Sequence, residues 1–249
     1  MEIAIIGGVA AGISVIDTIL RQDAMHNGQV TLTLIEPNKR VGPGRAYKGD
    51  GDYALLNRQA RFMSIRTDEP SHFIDWMRSE ADPDAAQQEF VPRSLFGDYL
   101  TAQFRKQIEK SRKLGSPINV LSTAATAMYC GDSGKVRVVT AQGTSLKFDA
   151  AVLCIGTAEP TDVFGLSGSA DFISQPYPIW LTCAGIKPDE HVAFWAPVSR
   201  PWIRYSGCAP KVTLGPSRCC PGEDYCQPYA SRIRILFFSI CPKKALLLV

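Results

Sequence analysis

The sequence predicts an α/β fold, a parallel sheet carrying helices with a β-hairpin inserted before its last strand. Three observations predict it. Ile3–Ile6 is a short apolar run that leads straight into Gly7-Gly8-Val9-Ala10-Ala11-Gly12, and a helical pattern follows at once. Val30-Thr31-Leu32-Thr33-Leu34-Ile35 reads as a second strand, buried on both faces, and ends in Glu36. Lys135–Ala141 and Thr144–Phe148 bracket Gln142-Gly143, a hairpin signal, just ahead of the apolar run from Asp149 to Thr157.

Taken in order, each element has a physical reason. Gly7 allows the tight turn out of the first strand, and Gly12 lets the following helix pack closely on the sheet. That helix runs to about Arg21, with Ile13, Ile16, Ile19 and Leu20 at helix-face spacing. Its N-terminus offers amide groups and a positive dipole end to a pyrophosphate. His26–Gln29 is a polar turn, and Glu36 sits where a carboxylate accepts hydrogen bonds from a ribose diol and repels a 2′-phosphate. Strand, turn, helix, strand and acid within about 36 residues make the dinucleotide-binding layout. One departure stands out: the middle glycine of G-x-G-x-x-G is Val9, whose side chain would crowd a pyrophosphate. A glycine turn in an ordinary α/β protein is the competing reading.

Beyond Glu36 the chain is loop-rich through Gly42-Pro43-Gly44-Arg45, Leu55-Leu56-Asn57-Arg58 and Phe62-Met63-Ser64. A helix is expected over 72–77. A longer amphipathic one is expected over Leu95–Arg112, with Leu95, Tyr99, Phe104 and Ile108 on its apolar side. Strands are expected at Ile118–Leu121 and Ala124–Tyr129. The strand from Asp149 is expected to end in glycine, at Gly156.

Composition removes several classes. With 45% hydrophobic and 20% charged residues, the chain is neither disordered nor fibrous. No run approaches the roughly 18 apolar residues of a spanning helix. MEIAIIGG enters a strand without a basic region or cleavage site, so no signal peptide and a cytoplasmic setting are expected. His26, His72 and His191 have no nucleophile or ligand at useful spacing and receive no catalytic role. Cys130, Cys154 and Cys183 form no C-x-x-C, and Cys154 reads as a buried core residue. No metal site and no catalytic acid or base is assigned.

On IAIIGGVAAG, LIEPNKRVGPGRAY, LLNRQARFMS, DEPSHFIDWM, FVPRSLFGDYL and FDAAVLCIGTAEP, in that order, the chain resembles the bacterial FAD–NAD(P)-binding protein family. These are flavoproteins with two dinucleotide folds, kin to flavin-dependent urate hydroxylases and amine-hydroxylating monooxygenases. The resemblance covers residues 1–192 and implies a Rossmann-like FAD-binding domain there. It implies that Gly7, Gly8 and Gly12 hold the FAD pyrophosphate and that Glu36 holds the adenosine ribose. It places Arg45 and Asn57 along the flavin, Met63 and Ser64 near the isoalloxazine, and Gly156 at the end of the strand returning to FAD. Arg93 and Tyr99 belong to a PR-x-x-x-x-x-YL signature. Surface or salt-bridged roles for Arg45 and Arg93, and packing roles for Met63 and Tyr99, stand beside these.

The composition breaks after Val192. Residues 1–192 hold 19 Lys+Arg against 22 Asp+Glu, a net of −3, whereas 193–249 hold 8 against 2, a net of +6. The second part also has 5 of the 8 cysteines and 7 of the 17 prolines. A family member would continue with a second turn for the nicotinamide cofactor, and none follows Ala193. Codons read from the third base of Ala193 supply one. Phe194-Trp195 forces Leu, Trp195-Ala196 forces Gly and Trp202-Ile203 forces Asp, within a permitted I-L-G-T-G-L-S-A-M-D-T-V-L. Residues 215–227 likewise permit G-P-I-T-L-L-S-R-R-G-L-L-P, with leucines forced by Cys219-Cys220 and Asp224-Tyr225-Cys226. The tail therefore reads as an irregular, out-of-frame segment, from a base lost near codon 193, that replaces the NAD(P)-binding part. A zinc module fits worse, because Cys208, Cys219, Cys220, Cys226 and Cys241 lack paired spacing. The scattered basic residues do not make a nucleic-acid surface either.

The function the resemblance implies is an FAD-dependent oxidoreductase, an NAD(P)H-dependent monooxygenase of a small molecule, impaired in this chain by the tail. No nucleic-acid or membrane partner is expected, and no oligomeric state is assigned. The alternatives are a non-catalytic dinucleotide-binding or interaction module and, against the hairpin, a Rossmann methyltransferase.

Overall fold

The computed structural model describes residues 1–23, 29–131, 134–156, 162, 165–170, 172–175, 177–186, 191–195 and 233–237. The chain divides into two compact units, the first built on residues 1–158 and the second on 159–243.

The first unit is organised by four parallel strands. β1 (Glu2–Ile6) pairs with β2 (Thr31–Ile35) on one side and β7 (Ala150–Leu153) on the other, and β2 pairs with β3 (Ile118–Leu121). The order is β3-β2-β1-β7. Central position explains composition: β1 and β2 carry only one residue each that is not buried. α1 (Ala10–Asp23) crosses from β1 to β2 and buries Ile13, Ile16 and Leu20, while Ile19 is only partly covered. This is the predicted α/β fold.

α2 (His72–Glu80) and α3 (Arg93–Leu114) complete the main core. Both run a few residues past the ends expected from sequence. α3 begins directly behind Pro92, whose fixed φ suits a helix start, and ends at left-handed Gly115. Phe73, Trp76, Phe96 and Tyr99 form an aromatic cluster with ring centroids 5.1–6.2 Å apart. Tyr99 is wholly buried in it.

The hairpin is present. β4 (Ala125–Cys130), β5 (Val136–Thr140) and β6 (Ser145–Phe148) form a separate antiparallel sheet between β3 and β7 in sequence. Gln142-Gly143 turns β5 into β6, the Gly143 amide donating to the Thr140 carbonyl at 2.9 Å. β7 is shorter than expected, because Cys154–Gly156 lie beyond its end. Only the Cys154 amide still bonds β1, at the Ile6 carbonyl, 2.7 Å.

In the second unit, β8 (Phe172–Ile173), β9 (His191–Trp195) and β10 (Ile233–Phe237) form a parallel sheet in the order β8-β10-β9. α4 (Ile179–Thr182) is one turn. The segment expected to be irregular thus contributes β10, an apolar IRILF run, and the end of β9. The rest of the tail, with its five cysteines, lies outside the described residues, as does His26. Among the described residues no helix is long and apolar enough to cross a membrane.

Candidate dinucleotide site at the glycine turn

The turn after β1 leaves no room for side chains at two positions. Gly7 has φ +103°, and a Cβ there would lie 2.2 Å from the Cys154 carbonyl oxygen. A Cβ on Gly12 would lie 2.1 Å from the Gly7 carbonyl oxygen. Glycine at 7 lets the chain pass under the end of β7, and glycine at 12 lets α1 sit down on that turn. The first amide bonded within α1 is that of Ile13, to the Val9 carbonyl at 3.0 Å. The amides before it face the helix's N-terminal end, the position at which an anion is stabilised.

Glu36 closes the other side. It is buried, and its two oxygens are held separately. Oε2 accepts the Gly8 amide at 2.7 Å, and Oε1 accepts the Asn38 amide at 2.9 Å and its Nδ2 at 2.6 Å. The carboxylate at the end of β2 is therefore locked onto the glycine turn in one orientation. Asn38 was not among the residues read from sequence; a polar residue two beyond the acid is the only signal for it.

The 41–45 loop packs over the same turn. The Gly42 amide donates to the Gly8 carbonyl at 2.8 Å, and the Thr101 hydroxyl donates to the Val41 carbonyl at 3.2 Å, which ties the loop to α3. Val9, the departure from the glycine pattern, turns its side chain toward this loop. A Cβ on Gly44, where φ is +54°, would come within 2.4 Å of Val9 Cγ1, and one on Gly156 would lie 3.9 Å from Cγ2. Gly44 thus makes room for the valine, while Gly156 lies at ordinary contact distance from it.

Gly7, Gly8, Gly12, Glu36 and Gly156 are brought together. Arg45 and Asn57 lie on exposed loop surface. Arg93 braces the loop that carries Asn57: its Nε donates to the Leu55 carbonyl at 2.9 Å, and its amide to that of Ala54 at 2.8 Å. Met63 packs against the core, and the Ser64 hydroxyl is engaged locally, donating to the Glu69 carbonyl and accepting the Arg66 amide, both 2.9 Å. Cys154 is buried, and burial pushes its thiol pKa up.

What the sequence reading missed is the set of anchors that fixes segment 63–66 to α1. The Ser14 hydroxyl donates to the Ile65 carbonyl at 2.6 Å. Arg66 forks onto buried Asp17 at 2.8 and 3.0 Å, and Arg21 approaches the same carboxylate at 3.1 Å. The hydrogen bonds it donates to Asp17 hold the Arg66 guanidinium above its ordinary pKa. Asp17 falls on the apolar stripe of α1 between Ile13, Ile16 and Leu20, and an acid on a buried stripe signals a buried cation. Asp17→Ala is expected to cost about 3 kcal/mol, the low end for a broken buried pair, because Arg66 keeps Glu69 at 2.9 Å. Arg66→Met is expected to cost less, since Asp17 keeps Arg21. Urea midpoints of the two variants check this; the reverse ranking contradicts it.

Comparison with known proteins is consistent with the geometry. A family model described as FAD-NAD(P)-binding matches residues 4–158. The uncharacterized protein YdhS of Escherichia coli K12 is 22% identical over 174 residues, covering 65% of this chain and 31% of its own length. The closed crystal structure of cyclohexanone monooxygenase superposes with a TM-score of 0.50 at 14% identity, over 79% of this chain and 33% of that one. A crystal structure of OTEMO in complex with FAD and NADP gives 0.48 at 13%, over 79% and 34%. The chain thus spans about a third of the length of the curated relative it matches.

Proposed function

The chain belongs to the FAD-NAD(P)-binding family, and on that premise we propose that its first unit binds FAD as the cofactor half of an NAD(P)H-dependent oxidoreductase acting on a small molecule. The observation that carries this is the Gly8–Glu36 lock. A carboxylate at the end of the second strand is fixed beside a turn in which Gly7 and Gly12 already meet backbone. That donor and acceptor set fits an adenosine diphosphate moiety, with amides for the pyrophosphate and Glu36 for the ribose diol. Oε2 accepts one hydrogen bond and keeps a lone pair for a further donor, whereas Oε1 already accepts two. Gly7, Gly8, Gly12 and Glu36 would hold that half of FAD, and Arg45, Asn57, Met63, Ser64 and Gly156 would line the flavin half.

Bound flavin supplies hydride acceptance and, once reduced, reaction with O₂; a monooxygenase outcome is the finer form of the proposal. The polypeptide's part is orientation. Glu36 fixes the adenosine end, the 41–45 loop covers the turn, and the anchors on Ile65 and Arg66 set Met63–Ser64 in place. The family model favours a dinucleotide over S-adenosylmethionine, and the hairpin sheet points the same way. The nicotinamide site belongs to the part that the tail replaces in the proposed reading frame.

The test is flavin retention. Purified chain is expected to bind FAD, seen as quenching and a shifted flavin absorbance. Glu36→Ala is expected to weaken binding about tenfold or more, the loss of hydrogen bonds to a charged group, and Glu36→Gln less. A chain that takes up no FAD but binds ADP would favour the non-catalytic nucleotide-binding module instead.

A further inference from the structure

Segment 63–66 has a third anchor besides Ser14 and Asp17, and this one can change state. The Ile65 amide points at the Tyr99 hydroxyl, 3.4 Å, and that hydroxyl lies 2.6 Å from Nδ1 of His72, the first residue of α2. Tyr99 is wholly buried and its ring packs tilted against Phe73, Trp76 and Phe96, so the phenol has one position.

We propose that Tyr99 and His72 are positioning residues of the candidate flavin site, a hydrogen-bond relay from the Ile65 amide through the Tyr99 hydroxyl to His72 that holds Met63–Ser64 in place and reverses when His72 takes up a proton. The functional half of this rests on the FAD reading above; the relay itself does not.

The proposed relay assigns the neutral His72 ring its Nε2–H tautomer, with Nδ1 bare. Ile65 N–H can only donate. Tyr99 oxygen accepts it and donates a hydrogen bond to Nδ1, which requires an unprotonated ring nitrogen. Burial pushes the phenol pKa up to about 12, so Tyr99 keeps its proton throughout. A protonated His72 must donate from Nδ1, and the phenol then has to accept from two N–H groups and turn its hydrogen elsewhere. The proposed relay gives that hydrogen to Ser64, whose side chain acts on the same phenol. Protonation two residues' contact away thus redirects a hydrogen bond onto the residue expected to face the flavin.

The surroundings of His72 favour the neutral ring. Burial lowers its pKa most, and Arg66 from the preceding loop and Lys106 of α3 lower it further. Glu69 of the same loop and Asp17 of α1 act in the opposite sense without prevailing. A base with a lowered native pKa contributes stability that is complete above its ordinary value of 6.5 and is lost as pH falls from there through the native value. The Tyr99-to-His72 direction therefore holds at neutral pH and reverses in mild acid.

Two measurements on the full chain test it. Without FAD, NMR of the His72 ring and the Ile65 amide is followed from pH 8 to pH 5. The amide is expected to shift with the same midpoint as the ring, below 6.5, and Tyr99→Phe is expected to abolish the amide shift while the ring still titrates. An Ile65 amide unmoved as His72 titrates overturns the relay. With FAD, wild-type affinity is expected to fall about fivefold to tenfold across that midpoint, the loss of about one hydrogen bond. Tyr99→Phe is expected to be weaker at neutral pH by a similar factor and flat across the range. A Tyr99→Phe protein that keeps the wild-type step overturns the positioning role. Should no form bind FAD, the flavin reading fails, and the amide titration still decides the relay.

Discussion

Restoring one base in codon 193 is expected to convert a chain with negligible NADPH oxidation into one that works in the ordinary enzyme range, about 1–1000 turnovers per second. The reason lies in what the restored frame supplies. Read from the third base of Ala193, the forced Leu, Gly and Asp sit within a permitted I-L-G-T-G-L-S-A-M-D, which would be a strand and a second glycine turn of the kind that receives a pyrophosphate on a helix N-terminus. The present chain reads Phe194-Trp195-Ala196-Pro197 at that place, and proline and tryptophan offer no close backbone approach to a phosphate. The assay compares NADPH consumption with FAD present, for the chain as given and for the chain with one base added. Equal rates would remove the frame proposal, whichever level they reach. A rate gained only by the restored chain would assign the nicotinamide half to that segment.

Gly7→Val is expected to destabilise the first unit by roughly 2–6 kcal/mol, the sum of about 1–3 kcal/mol for a branched residue at positive φ and about 1–3 kcal/mol for overpacking. Against a total stability of roughly 5–15 kcal/mol, that is enough to unfold much of the population. The two costs are separate: φ at Gly7 is +103°, and the added Cβ would stand 2.2 Å from a carbonyl oxygen that is backbone and cannot swing away. Relieving the clash would pull Cys154 from β1 and open the edge along which β1 pairs with β7. Gly49→Ala is the control, because no atom lies within 4 Å of the position of its Cβ; it is expected to change stability by less than about 0.5 kcal/mol. Thermal melts of the two variants beside wild type decide it, and a Gly7→Val protein that melts with the control would show that the turn rearranges freely.

The parts that were legible share a physical property: they are local. Ile3–Ile6 and Val30–Ile35 are apolar on both faces because their strands are central, and Gly7 and Gly12 are glycines because backbone passes against them. Gln142-Gly143 marks its own hairpin turn. Where local pattern met a boundary it slipped. β7 stops at Leu153 although the apolar run continues, because a strand ends where its neighbour does, and β1 gives way to the turn at Gly7. α2 and α3 run longer than their apolar patterns because polar residues extend an exposed helix end without cost.

The site divides in the same way. Sequence alone determined the class of chemistry: a glycine turn, a terminal acid on the second strand and an ordered set of motifs give a dinucleotide-binding chain, and forced codons give a proposal for its tail. Only the tertiary structure decided which groups act together. His72 and Tyr99 are 27 positions apart and Asp17 and Arg66 are 49 apart. Neither pair follows any helical or strand period, so the chain names neither partner, although Asp17 on the apolar stripe of α1 signals that a cation must meet it. Each exists because α3 packs against both α1 and α2, with the loop before α2 held beside them. A polar group caught in that burial must find a partner from another element or pay the full cost of desolvation.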